Sequence, residues 1–249
     1  MAERADVGIF GGSGLYDLLE GVEEVEIDTP FGPPSGPLHL GDVGGRRVAF
    51  LARHGAEHRH PAHLVNYRAN MWAMKSLGVG AVVAPFTCGS LQPTIEPGSF
   101  VVVDQFVDRT RGRADTIFDG AGANHTAMAE PYDADVRGAL VAAATAAGVT
   151  VHVGGTVVVI QGPRFSTRAE SRWFAAQGWD VVNMTQYPEA ALACELELPY
   201  GAVGLVTDFD AGLDGRPDVQ HVTMEQVFAF FEANVSRVRS VLFNAATAL

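Results

Sequence analysis

The chain is short of positive charge, of cysteine and of long apolar runs. Seventeen lysines and arginines stand against 29 acidic residues, for a formal charge of −12. Such a diffuse negative balance repels nucleic-acid backbones and anionic lipid, so neither is an expected partner. An anionic ligand would need a local pocket that overrides the global field. There are two cysteines, Cys88 and Cys194, and their number and spacing exclude a disulfide framework and a zinc ribbon. No run reaches about 18 apolar residues, and the opening MAERADVGIF lacks the charged and apolar regions of a secretory signal. The expectation is a reduced, cytoplasmic, soluble protein, in which the N-x-[ST] triplets at Asn124, Asn183 and Asn234 are chance matches. Neither G-x-G-x-x-G nor Gly-Lys-[Ser/Thr] occurs, which removes the dinucleotide and P-loop readings.

What the chain has is apolar mass: 47% hydrophobic against 18% charged residues, enough for a sizeable core. Short β-branched runs recur as DVGIF, RRVAFLA, VGAVVAPF, GSFVVVDQFV, TVVVI, DVVNM and YGAVGLVTD. They are apolar on both faces, as strands buried inside a sheet are. Helical stretches alternate with them: Pro61 to Leu77 before Gly78, Asp133 to Gly148, Thr167 to Gln177 and Pro188 to Glu197. A capping box at Thr223 and Gln226 opens a long last helix. No repeat or low-complexity linker interrupts the pattern. The fold class is α/β, a single domain over residues 1–249 with a parallel or mixed sheet, and functional residues are expected at strand ends.

Several polar groups sit there. GIFGGSGLYD closes the first strand, and its glycines with Ser13 read either as a phosphate nest or as a tight strand-to-helix turn. Arg53 and His54 close the second strand, and a strand-end arginine suits bidentate contact with an oxyanion. The same segment, RHGAEHRHPAH, holds four of the eight histidines and spells H-x-x-E-H from His54 to His58. A zinc reading needs those residues on one helical face, but Gly55 and Pro61 place them on a strand-to-loop transition. PFTCGSL closes a third strand, where Thr87, Cys88 and Gly89 offer hydroxyl and backbone donors. Phe165 lies on a strand-to-helix loop and is either a stacking surface or a core aromatic. Asn183, Met184 and Thr185 follow another strand. Asp208 and Asp210 end the last one, spaced i, i+2, so they point the same way if the strand continues. One suits a general acid of raised pKa and the other an acceptor for an amino group, although a turn-forming or metal-holding pair has the same spacing.

The blocks GIFGGSGL, DTPFGPPS, ARHG, NYRANMWAMKSLG, CGSL, DQFVDRT, MAEPY, QGPRFSTRAES, VVNMT, PEAALA and VTDFDAG occur in order over nearly the whole chain. In these the sequence resembles the trimeric purine nucleoside phosphorylases, most of all the 5′-methylthioadenosine phosphorylase branch. The resemblance implies a mixed, barrel-like sheet surrounded by helices, a homotrimer, and phosphorolysis of a purine nucleoside. Inorganic phosphate would be the co-substrate, with no metal and no organic cofactor. It places Ser13, Arg53, His54, Thr87 and Thr185 at phosphate. It places Cys88, Gly89, Phe165, Asn183, Met184, Asp208 and Asp210 around the nucleoside. Met224, Val227 and Phe228 fall in an apolar pocket for the 5′ group, and His125 matches a residue lent by a neighbouring subunit. Phe86 and Gln161 depart from the pattern: a relative has threonine at the first position and an acid at the second.

In that reaction Asp208 would donate a proton to purine N7, and Asp210 would accept from a 6-amino group. The acids favour adenine over a 6-oxopurine, because the branch that cleaves inosine and guanosine carries asparagine at the first of the two. The apolar 5′ pocket favours 5′-methylthioadenosine, with 5′-deoxy and 5′-halo adenosines also fitting. His58 falls near the nucleoside or an interface; His60 and His63 are structural.

Overall fold

The computed structural model describes residues 4–11, 22–120, 122–211 and 223–249. Among these residues eleven strands form one mixed sheet. They are β1 (Val7–Gly11), β2 (Glu23–Val25), β3 (Leu38–Val43), β4 (Arg46–Ala52), β5 (Ala81–Ser90), β6 (Phe100–Val102), β7 (Gln105–Arg109), β8 (Val151–Val153), β9 (Thr156–Ile160), β10 (Val181–Asn183) and β11 (Tyr200–Asp208). The helices are α1 (Tyr67–Ser76), α2 (Ala134–Ala146), α3 (Arg168–Ala176), α4 (Gln186–Glu195) and α5 (Met224–Ala248). The main path runs β2-β3-β4-β1-β5-β10-β9-β7, and β11 branches off β5 to meet β6 and then β8. Two large apolar clusters pack against the sheet; α2 and α5 seal one of them with residues such as Leu140, Val238 and Leu242.

Local chemistry explains the helix starts. The Asp133 carboxylate accepts from the backbone N–H groups of Asp135 and Val136. Thr167 with Glu170, and Thr223 with Gln226, close reciprocal capping boxes. The Pro61–Leu77 segment differs from its sequence reading. A short 3₁₀ turn covers Ala62–Leu64, and α1 starts only after Asn66, whose side chain accepts from Ala69 N–H. An in-register amide cap fixed the start more firmly than the proline did. In α4 Tyr187 is non-helical (φ −114°, ψ 134°), so regular turns begin at Pro188.

The central strand corrects another expectation. The apolar run VGAVVAPF does not mark the end of its strand, because β5 continues through PFTCGS to Ser90. One edge of β5 pairs with β1 through residues 81–83 and with β10 only from Gly89 onward. Its other edge pairs with β11 along nearly its full length. Between Val83 and Gly89 the first edge is therefore open. Pro85 lies in this gap, where its missing N–H breaks no ladder.

Candidate functional site

The open stretch of β5 forms the floor of a cavity. β4 delivers Arg53 and His54 to it, and β11 delivers Asp208 and Asp210. β10, antiparallel to β5, returns its C-terminal end to the same place and brings Asn183, Met184 and Thr185. Phe165 from the loop after β9, and Met224, Val227 and Phe228 from the start of α5, complete the wall. Thr87, Cys88 and Gly89 line it from β5 itself. His125 does not line it: it is exposed on the long loop between β7 and α2. Ser13 lies outside the described residues.

At one end Arg53 is 1% exposed. Its Nε and Nη2 donate to the two carboxylate oxygens of Glu189 at 2.7 and 2.9 Å, and Nη1 donates to the Pro85 carbonyl at 3.0 Å. Burial opposes the charge, but the Glu189 carboxylate outweighs it and holds the guanidinium above the ordinary arginine value. Tyr200 O–H donates to Glu189 Oε1 at 2.7 Å. A guanidinium has five N–H donors, so two remain after these three bonds. Backbone groups alternate sides along a strand. The Pro85 carbonyl points to Arg53, so Thr87 N–H, two residues on, points to the same open edge. The Cys88 carbonyl points the other way, toward β11, with its oxygen 3.3 Å from Thr207 Oγ1.

His54 is buried, and its Nδ1 lies 2.8 Å from the His60 carbonyl oxygen. Burial, with His58 and Arg53 beside it, pushes its pKa down to about 3. His58 stacks on it with ring centres 4.1 Å apart, and presents its ring to Phe228 edge-on at 5.5 Å. Gly55, Glu57 and His58 all have positive φ, so H-x-x-E-H does not lie on one helical face. Among the described residues no group of three or more His, Cys, Asp or Glu is placed to hold a metal ion. Asn183 braces the turn that leads into α4: its Oδ1 accepts from the N–H groups of Thr185 and Gln186, while its Nδ2 donates to Thr185 Oγ1 at 3.2 Å. The Thr185 hydroxyl, accepting there, keeps its own hydrogen to donate.

At the other end β11 carries a bulge. Val206 pairs with Cys88 and Asp208 with Gly89, which leaves Thr207 as the extra residue. The strand ends at Asp208 and Asp210 stands in a turn, so simple alternation does not align the two acids; the bulge and turn bring both to the cavity. A side chain at Gly89 would meet the backbone of Asp210, with its Cβ 2.9 Å from Asp210 Cα. Burial pushes the Asp208 carboxyl up to about 7; the Thr207 hydroxyl, donating to Oδ1 at 2.6 Å, opposes this and Asp210 adds to it. Burial also raises Asp210, partly offset by the nearby Ser171 and Ser166 hydroxyls. Asp210 lines the cavity, and its Oδ2 is nevertheless buried without a hydrogen-bond partner among the described residues. Cys88 is buried with its thiol held well above the ordinary value by burial and by Asp208, which makes it a wall rather than a nucleophile.

A model of the phosphorylase superfamily matches residues 6–248. The chain belongs to that superfamily. It is 53% identical to an S-methyl-5′-thioadenosine phosphorylase of Mycolicibacterium smegmatis, covering 98% of this chain and 91% of the relative. It is 51% identical to a purine nucleoside phosphorylase of Streptomyces coelicolor, covering 99% and 90%. A methylthioadenosine phosphorylase from Schistosoma mansoni, solved with adenine, superposes with a TM-score of 0.92 at 40% identity, covering 98% of this chain and 91% of that one. In this phosphorylase the sequence reading missed Glu189 and Thr207. Glu189 is a buried acid inside a helix, where its partner Arg53 is 136 residues away. Only the motif PEAALA, of which it is the second residue, marked its place. Thr207 is singled out by the bulge, which no sequence pattern announces. The Gln161 departure has a local role: its side-chain oxygen accepts from Arg111 N–H at 3.0 Å and Arg113 Nε at 3.3 Å, anchoring the loop after β7.

Proposed function

We propose that the chain cleaves 5′-methylthioadenosine with inorganic phosphate, giving adenine and 5-methylthioribose 1-phosphate. The observation that carries this reading is the acid pair. Asp208 keeps a proton near neutrality, and Asp210, on the same cavity wall, has a buried oxygen without a hydrogen-bond partner among the described residues. As the C1′–N9 bond stretches, the sugar becomes cationic and the purine gains negative charge. Asp208 donates its proton to N7 of the departing base, and Asp210 accepts from the 6-amino group. Arg53, His54, Thr185 and the Thr87 N–H hold phosphate on the opposite side of the sugar and fix its approach to C1′. Ser13 joins them in this proposal. Phe165 stacks on the base, and Met184 and Asn183 border the ribose. Met224, Val227 and Phe228 accept the methylthio group, since a buried hydroxyl left unpaired there would cost about 1–3 kcal/mol.

The proposal extends to a cytoplasmic homotrimer acting in methionine and purine salvage without metal or organic cofactor, with His125 of one subunit reaching its neighbour's 5′ pocket. Met224, 43% exposed at the pocket rim, leaves an apolar surface for such a neighbour. The test is release of adenine from 5′-methylthioadenosine with and without phosphate, beside adenosine and inosine. Phosphate-dependent release, fastest with the methylthio substrate, is expected. Phosphate-independent release refutes phosphorolysis, and faster cleavage of inosine refutes the roles given to Asp208 and Asp210.

A further inference from the structure

His54 is clamped to His60 by two hydrogen bonds. His60 N–H donates to the His54 carbonyl at 2.9 Å, and His54 Nδ1 meets the His60 carbonyl at 2.8 Å. A carbonyl oxygen only accepts, so Nδ1 carries a hydrogen. A neutral imidazole then has a bare lone pair at Nε2. The surroundings keep the ring neutral: it is buried, Arg53 is its neighbour, and His58 stacks on its face. Glu189 meanwhile matches the charge of Arg53. The groups described at this end of the cavity therefore sum to no net positive charge, and they include one acceptor.

An acceptor facing an oxyanion is useful only if the oxyanion has a proton to give. Resting on the phosphorolysis reading above, we propose that His54 Nε2 accepts from the P–OH of hydrogen phosphate and so selects a protonated oxyanion over an unprotonated one. Phosphate and arsenate carry an acidic O–H near neutrality. Sulfate does not, and its oxygen would face the Nε2 lone pair with no hydrogen between them. This is specificity by mismatch: the wrong ligand leaves a buried acceptor unpaired.

Two measurements on the full-length protein test this. Histidine ¹⁵N shifts tell a protonated ring nitrogen from a bare one; His54 is expected to be protonated at Nδ1 and bare at Nε2 around pH 7, and the reverse tautomer overturns the proposal. In the second, arsenate is expected to replace phosphate in supporting cleavage, while sulfate inhibits with a constant at least about tenfold above the phosphate KM. A smaller ratio overturns the proposal. The His54→Gln variant can turn either an amide N–H or a carbonyl to the anion, so the ratio should collapse to about threefold or less; an unchanged ratio also overturns it. Should this variant fail to fold, the tautomer and the wild-type ratio still decide. Phosphate-dependent cleavage with sulfate competing equally would sink this inference alone. Cleavage indifferent to phosphate would sink the phosphorolysis reading first.

Discussion

Replacing Asp208 with asparagine should separate stability from activity, with a sign that depends on pH. The folded carboxyl titrates at about 7 against an ordinary 3.8. Between those values the folded chain holds a proton that the unfolded chain has released. Stability therefore falls as pH rises through this window, is unaffected below it, and carries the full penalty above it. The interval corresponds to about 4 kcal/mol at about 1.4 kcal/mol per pH unit. Solvent entering the open side of the cavity reduces the penalty, so about 2–4 kcal/mol is the expected difference. Asparagine keeps an oxygen for the Thr207 hydroxyl but carries no charge. Denaturant unfolding without ligand should then find Asp208→Asn more stable than the parent by about 2–4 kcal/mol at about pH 8, and nearly equal at about pH 4. Its rate of adenine release should fall by about 10²–10⁴ through loss of the acid. A stability difference that is the same at both pH values would refute the placement of a strained, proton-holding carboxyl at this position.

Glu189→Gln breaks the buried pair with Arg53; about 3 kcal/mol of stability should be lost, and the phosphate KM should rise by about tenfold as the guanidinium loses its anchor. An unchanged phosphate KM would show that Arg53 needs no such support. Gly89→Ala pushes a methyl against the Asp210 backbone; adenine release should drop about 10²-fold through misplacement of the acids, with substrate saturation curves as the check. Phe228→Ala opens the apolar wall beside His58; the KM for 5′-methylthioadenosine should rise about tenfold, while that for adenosine changes less.

Much of the cavity was readable from the chain because its residues follow strands that announce themselves. RRVAFLA runs straight into Arg53, and YGAVGLVTD ends at Asp208, so apolar runs point directly at polar termini. The helix starts at Asp133 and Thr223 were equally legible, because capping is chemistry over three or four residues. What escaped depends on distant partners. The small strands β2, β3 and β8 have too little apolar periodicity to stand out and exist through pairing with β4 and β6. β5 was cut short at Phe86 because proline, glycine and small polar residues imitate a turn. Only the gap between β1 and β10 explains how a strand tolerates them. Glu189 is hidden for the same reason: nothing around an acid in a helix says that it faces an arginine 136 residues earlier.

The continuity of β5 also bears on how this catalyst can change. Pro85 touches the arginine at one end of the cavity, and Gly89 touches the acid turn at the other. Four strand residues fix that span at about 13 Å, so the reacting groups share one ruler. The wall proposed to meet the sugar's far end stands on α5, a separate element beginning at Met224. New substrates differing at that end can be accommodated by exchanging side chains on the first turn of α5, without moving the reaction centre. The base and the anion have no such freedom: a shift of β5 that suits one displaces the other.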